Sequence, residues 1–571
     1  MTQPKSISAQ VLRALIDCPP HELAILDVSE EGQFGERHLL HAVNVPYSQL
    51  EVVLGPLVPR LATRIVLIDH GARVAERAAA RLSALGYTDV SVLDGGIDAW
   101  SDAGFALFEG VYVHSKAFGE WLERVHKTPS ITAQDLYARS QAGQCTVIFD
   151  PRTVAEHASR HVPGAVAVPG QELLKAFDDL VPSADTLIVV ACGGRTRGIV
   201  GAQTLIDAGV PNRVVALDGG NHGWQLAGFP FERGLREVLP VQPSASVTAA
   251  LERADRMRER FAIPSTTQAE VEAWLTGPDS AGCTTYVLDV RLPDEYETSH
   301  YVHAHSAPGG QLVQATDRWL ATRGARVVLV DDDGIRATPT ALRLRQMGWN
   351  AYVLSVVTAS GDWAVPGTRE SVGIPGCAVG LPDPDRAAYV GSLRGPAPRY
   401  LPEIGPVEAR AWLAAGATGV SFDRSADYLE QHPAGFQWAN RADAGHLVDA
   451  LLTGRRLVLF SVDTAAAQLA GIDLLEAVQP EVGGRLAVLA GGMQAWIEAG
   501  LPVGRADPDS LDRVRRIDHL YWLHRRRQGD QQEMREYLAW EHSLLARIDQ
   551  SGEPFPAWPQ KLISNHKRSE S

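Results

Sequence analysis

Four repeats of one pattern constrain this chain more than any other feature. Each repeat opens with an apolar strand ending in Asp: AILDVSE at Asp27, VIFDPRT at Asp150, YVLDVRL at Asp289 and GVSFDRS at Asp423. A second apolar strand follows, RIVLID to Asp69, LIVVAC to Cys192, RVVLVD to Asp331 and RLVLFS to Ser461. The two landmarks lie 42 residues apart in the first three repeats and 38 in the fourth, and this spacing fixes the alignment. Each repeat then runs through a helical stretch and closes on a Gly-Gly turn before Trp. The closing phrases are LDGGIDAW at Trp100, LDGGNHGW at Trp224 and LAGGMQAW at Trp496, with SGDW at Trp363 as a degraded version. Repetition at this scale means one structural unit used several times.

The strands are continuous apolar runs, as expected when both faces of a sheet are covered, and they alternate with helical patterns. The fold class that follows is α/β: four tandem domains, each a small parallel sheet flanked by helices on both faces, plus a C-terminal helical tail. A chain of 571 residues needs several cores in any case. The domains are placed at 1–128, 129–262, 263–380 and 381–505, with the tail at 506–571. Linkers are expected near 110–130, 235–265 and 365–400, the last rich in Pro and Gly. The tail segment from Leu511 has helical periodicity and reads as one helix or a hairpin of two. The Trp after each Gly-Gly reads as a core aromatic without chemistry.

Composition excludes several function classes. Hydrophobic residues make up 45% of the chain and charged residues 21%, ordinary for globular domains. A net charge of −15 argues against nucleic acid as a partner. No apolar run is long enough for a membrane span, and the N-terminal segment lacks a secretory pattern, so the cytoplasm is the expected location. Five cysteines with no CxxC or Cys/His cluster argue against a disulfide framework and against a structural metal.

The strand ending in Asp-Pro-Arg, the phrase HVPGAVAV from His161 to Val168, a Cys at the end of the next strand and LDGGNHGW together resemble the rhodanese superfamily. The His-Val-Pro-Gly-Ala phrase returns more loosely as HLLHAVNVP at 38–46, and the resemblance covers about 500 residues. It implies a sulfurtransferase without a cofactor, in which a loop Cys carries sulfur as a persulfide. The partners it implies are a small anionic sulfur donor and a thiol or cyanide acceptor. The catalytic position falls on Cys192, with Gly193, Gly194, Arg195, Thr196 and Arg197 completing a six-residue loop before a helix expected to start near Gly198. Arg152 joins them as a residue that either contacts substrate or makes a structural pair.

Physical chemistry favours the same residues. The thiolate is the nucleophile, and backbone N–H groups, a helix N-terminus and nearby Arg side chains all stabilise an anion. Arg195 and Arg197 suit a doubly anionic donor such as thiosulfate. Relatives that use mercaptopyruvate carry a less basic loop, resembling Cys-Gly-Ser-Gly-Val-Thr. The aligned positions in the other repeats, Asp69, Asp331 and Ser461, cannot form a persulfide, so domains 1, 3 and 4 are expected to be silent. By resemblance to tandem rhodaneses, domain 1 is expected to pair with domain 2, and domains 3 and 4 to form a second pair. Cys18, Cys145, Cys283 and Cys377 read as core or incidental residues, and His70, His161 and His222 are not needed as bases.

Two alternatives stand beside this reading. A loop phosphatase places five residues between Cys and an Arg, and here that position is Gly198; Arg197 comes one residue too early. A non-catalytic interaction scaffold would account for three silent domains and a helical tail. The sequence does not fix the oligomeric state.

Overall fold

The structure is a computed structural model that describes residues 4–557 apart from 72, 236–243, 278–279, 281, 355–362, 365–400, 463, 479–483, 508–510 and 512–514. The chain forms two compact units. One gathers Met1–Leu12, Ala24–Val111 and Gly373–Tyr521; the other gathers Arg13–Leu23, Tyr112–Val372 and Trp522–Ser571. No helix among the described residues is long and apolar enough to cross a membrane.

The second unit holds the repeat with Cys192. Among its elements, in chain order, are helix α1 (Val113–His126), strands β1 (Ser130–Ile131), β2 (Thr146–Asp150), β3 (Val166–Ala167) and β4 (Leu187–Val190), helix α2 (Thr196–Asp207), strand β5 (Val214–Leu217) and helix α3 (Gly220–Leu226), with further helices over Ala133–Gln141, Val154–Ser159 and Leu173–Leu180. All strand pairs are parallel, in the order β1-β5-β4-β2-β3. Strand β4 is buried throughout, as its unbroken apolar sequence requires.

The same order recurs in each of the other repeats. In domain 1 it runs through Lys5–Ile7, Asp89–Leu93, Arg64–Ile68, Leu23–Asp27 and Val43–Asn44. In domain 3 it runs through Ser265–Thr266, Asn350–Leu354, Arg326–Val330, Thr285–Asp289 and His305–Ser306. In domain 4 the strands are Glu403–Ile404, Leu486–Leu489, Leu457–Phe460, Thr418–Ser421 and Phe436–Trp438.

Register corrects the alignment of the fourth repeat. Asp27 pairs with Ile68, Asp289 with Val330 and Ser421 with Phe460, so Ser421 stands where the other repeats have Asp. Asp423 lies two residues further on, at the position of Arg152, and its N–H donates to the Ser421 hydroxyl as that of Arg152 does to Asp150. The repeat is two residues shorter than the others, not four.

The pairing of domains differs from the expectation as well. Domain 1 shares a unit with domain 4, and domain 2 with domain 3. One apolar core runs through domains 2 and 3, from Phe177, Ala202 and Leu205 to Leu312, Ala341 and Leu344. Within that core the fully buried Arg343 of domain 3 donates to Asp207 of domain 2 at 2.7 Å. Domains 1 and 4 have an equivalent brace, in which the buried Arg441 grips Glu51 at 2.6 and 2.8 Å.

The first two expected linkers contain helices. α1 occupies most of 110–130 and falls in the second compact unit, one segment of which begins at Tyr112. Ser244–Arg260 is a second such helix, while 365–400 lies outside the described residues. Trp363 begins no helix: it sits in a two-residue strand antiparallel to His300–Tyr301. The tail forms a short helix, Tyr521–Arg527, and helix α4 (Gln531–Ser551), whose N-terminus Asp530 caps by accepting from the N–H groups of Gln532 and Glu533.

Candidate active site

The loop from Cys192 to Arg197 joins β4 to α2, and the helix starts at Thr196, two residues earlier than expected. The backbone N–H groups of Gly194 and Gly198 favour the anionic form of Cys192. In the other three repeats the equivalent position is held by a hydrogen bond. The N–H six residues on donates to the first side chain of the loop: Ala75 to Asp69 at 2.8 Å, Ala337 to Asp331 at 3.0 Å and Ala467 to the Ser461 hydroxyl at 3.0 Å. Asp, Ser and Cys each offer an acceptor where the turn leaves unpaired donors. Among these four equivalent positions only 192 carries a thiol.

The repeated Gly-Gly turn has a local reason. Gly220 (φ +52°) packs its α-carbon on the carbonyls of Cys192 and Gly194, where a Cβ would collide with both. The next two N–H groups, of Asn221 and His222, then donate to the carbonyls of Cys192 and Gly193 at 2.7 and 3.1 Å. The turn therefore holds the loop from outside. Trp224, one turn on, is buried, and its indole donates to the Pro230 carbonyl at 2.8 Å; Trp100 and Trp496 do the same at Ala106 and Pro502, which agrees with the core reading.

Both loop arginines have protein partners. Arg197 forks onto Glu156 with two bonds of 2.8 Å. Although burial opposes ionisation of Glu156, the Arg197 pair holds its carboxyl down to about 2. Arg195, 4% exposed, lies among three carboxylates: it donates to Glu120 at 2.8 Å, to Asp218 at 2.5 Å and to Glu123. Its charge is absorbed by the fold. Arg152 pairs with Asp150 at 2.6 Å and donates to the Arg160 carbonyl at 2.6 Å, while His157 completes the Asp150 cluster at 2.9 Å. Arg291 and Asp289 repeat this arrangement in domain 3. Since the thiol position there is Asp331, this pairing does not depend on a thiol at the head of the loop.

Sequence reasoning missed the acidic partners because Glu120 and Glu123 sit in a stretch read as a linker. Glu156 did carry a signal: TVAE from Thr153 is a capping box, with both reciprocal bonds formed. The tail also enters the site. A Cβ on Gly194 would lie 2.9 Å from both Tyr537 Cε1 and Glu541 Oε2 of helix α4, so a side chain there would collide with the tail. Thr196 Oγ1 donates to Glu541 at 3.4 Å.

Cys192 is 2% exposed. Burial pushes its thiol pKa up, opposed by the Arg197 charge and the N–H groups of Gly198 and Gly194. Burial and the cationic neighbours Arg526, Arg160 and Arg152 push His222 down to about 3, leaving a neutral, weakly basic ring near pH 7. His161 is turned toward the His157 carbonyl, 2.9 Å away, and His70 lies on Asp27 in the other unit. Cys18 and Cys145 are exposed and Cys283 is buried; Cys377 falls outside the described residues.

The family model for the Rhodanese-like domain matches residues 8–103, 132–227 and 267–356. A crystal structure of a thiosulfate sulfurtransferase from Pseudomonas aeruginosa is 36% identical, covering 96% of this chain and 98% of its own, with a TM-score of 0.84. An HTH-type transcriptional regulator of Mycobacterium tuberculosis is 32% identical over 105 residues, 18% of this chain; the chain spans 45% of that curated relative. With 36% identity along nearly the whole length of a solved structure, and with the strand order repeated in each domain, this chain belongs to the rhodanese-like family.

Proposed function

We propose that the chain is a sulfurtransferase that carries sulfane sulfur on Cys192, taking it from thiosulfate and giving it to a thiol or cyanide. The observation that carries this reading is the thiol at the head of the loop, at the one equivalent position of four that can form a persulfide, where the Arg197 charge and the Gly194 and Gly198 N–H groups favour its anion. The 36% identical thiosulfate sulfurtransferase supports the reaction class. The donor and acceptor named here extend that support. No cofactor is called for, and the cytoplasm is the proposed setting.

In the first step the Cys192 thiolate attacks the outer sulfur of thiosulfate. The S–S bond breaks, sulfite leaves with the electron pair, and Cys192 holds a persulfide. In the second step the acceptor attacks the outer sulfur, and the bond to Sγ breaks to return the thiolate. The donors at Gly194 and Gly198 and the Arg197 charge favour the anion at both stages. Arg197, next to the sulfur, is the proposed contact for donor oxygens, along with the backbone of Gly193, Gly194 and Thr196. Arg152 and Arg195 position the loop through their carboxylates.

Mass spectrometry after incubation with thiosulfate tests the proposal. The Cys192 peptide should gain one sulfur atom, and cyanide should remove it. A Cys192 peptide that gains nothing would leave the interaction scaffold as the better reading.

A further inference from the structure

Helix α4 places against the loop one carboxylate, Glu541, that no guanidinium among the described residues bonds. Glu541 is 1% exposed. Its Oε1 accepts from the Tyr537 hydroxyl at 2.6 Å and from Thr196 at 3.4 Å. Its Oε2 is buried and receives no hydrogen bond among the described residues, yet lies 2.9 Å from the point where a Cβ on Gly194 would stand. The contrast with the other acids of the site is sharp, since Glu156 is forked by Arg197 and Glu120, Glu123 and Asp218 surround Arg195. The cations nearest Glu541 spend themselves on aromatic faces. Arg526 lies 3.6 Å above the Tyr537 ring, and Lys116 Nζ stands 4.9 Å from the Tyr537 centroid and 4.8 Å from that of Trp540.

We propose that Glu541 is a specificity-determining residue of the Cys192 site, its charge penalising a doubly anionic sulfur donor more than a singly anionic one, with Lys116 acting in the opposite sense. This rests on the reading of Cys192 as the sulfur-carrying thiol. Coulomb energy is linear in ligand charge, so the effect on the logarithm of the rate should be about twice as large for thiosulfate as for mercaptopyruvate. Loss of packing would lower both rates alike. Burial, which pushes Glu541 up and Lys116 down to about 7, is opposed in each by the other's charge, which supports treating the two as one electrostatic unit.

The test uses the full chain and its Glu541→Gln and Lys116→Gln variants, with kcat/KM measured for thiosulfate and for mercaptopyruvate at fixed cyanide. Glu541→Gln should raise the value for thiosulfate about 10-fold and for mercaptopyruvate about 3-fold. Lys116→Gln should lower both, thiosulfate again the more. Equal fold-changes for the two donors, or no change in either variant, would overturn the proposal. A wild-type chain that takes sulfur from neither donor would instead overturn the sulfurtransferase reading, and this inference with it.

Discussion

Arg197 and Glu156 meet through two bonds of 2.8 Å, and Arg336 holds Glu295 at 2.8 and 3.0 Å at the corresponding place in domain 3. Domain 3 has Asp331 in the thiol position, so this pair braces the loop whether or not sulfur chemistry follows. In domain 2 the same guanidinium also supplies positive charge that favours the Cys192 anion. One residue thus serves structure and electrostatics together.

Arg197 and Arg195 are accordingly expected to fail in different ways. Arg197→Ala removes a charge-assisted contact worth about 1.5–3 kcal/mol, a loss in kcat/KM for thiosulfate of about 10- to 150-fold, and Lys should rescue only in part. Arg195→Ala leaves Glu120, Glu123 and Asp218 facing one another without a cation. Breaking a buried pair from one side costs about 3–5 kcal/mol, and the open rim around Asp218 puts this case at the low end. Its signature is a lower Tm with similar fold losses for both donors. A donor-selective loss at full stability would return Arg195 to the substrate.

Serine at Cys192 should abolish sulfur loading, because neither Asp69, Asp331 nor Ser461 offers a replacement thiol. Serine at Cys18, Cys145, Cys283 or Cys377 should leave turnover within about twofold, a difference under roughly 0.5 kcal/mol. Loading of the Cys192→Ser chain by thiosulfate, read by mass spectrometry, would show that the sulfur-carrying residue lies elsewhere.

The sequence made the repeats, the sheets and the position of the thiol legible, since continuous apolar strands at constant spacing leave little freedom in how each sheet is built. It misled where two similar signals lay close together. In GVSFD the eye takes Asp423 for the strand end, although Ser421 holds that register. Contacts between distant segments were not legible at all. Nothing near Gly194 announces that Tyr537 will lie against it, and the three acids around Arg195 come from two separate stretches. Domain pairing was hidden for the same reason: Arg343 and Asp207 are 136 residues apart.

The Arg197–Glu156 pair also has a pH signature. The Glu156 carboxyl falls from an ordinary 4.5 to about 2 on folding, so the unfolded chain binds the proton first as pH drops. The pair's contribution is fully present above pH 4.5 and is lost as pH falls through about 2. With the Glu156 side chain 42% exposed, solvent screening limits this to about 1 kcal/mol or less. The gap in urea midpoint between wild type and Glu156→Gln should therefore narrow between pH 5 and pH 2. A constant gap would place the cost of the substitution in packing.

Cys192 becomes reachable only through a path to a buried sulfur. The thiol is buried, and on one side its loop lies under Tyr537 and Glu541 of helix α4, so a reagent must await local opening or enter from another side. Tyr537→Ala removes the ring against Gly194 together with the surface on which Arg526 and Lys116 stack. Opening should become easier by at least about 1.4 kcal/mol, so iodoacetamide should modify Cys192 at least tenfold faster. Cys283 supplies the internal comparison, because it is also buried but lies beneath a different part of the unit, beside Glu22 and Thr284. Peptide mapping of the full-length variant would follow both thiols at once. Acceleration confined to Cys192 identifies the tail as its cover. Equal acceleration at Cys283 means that the substitution loosened the whole unit, and an unchanged Cys192 rate means that reagents reach the sulfur by a route the tail does not guard.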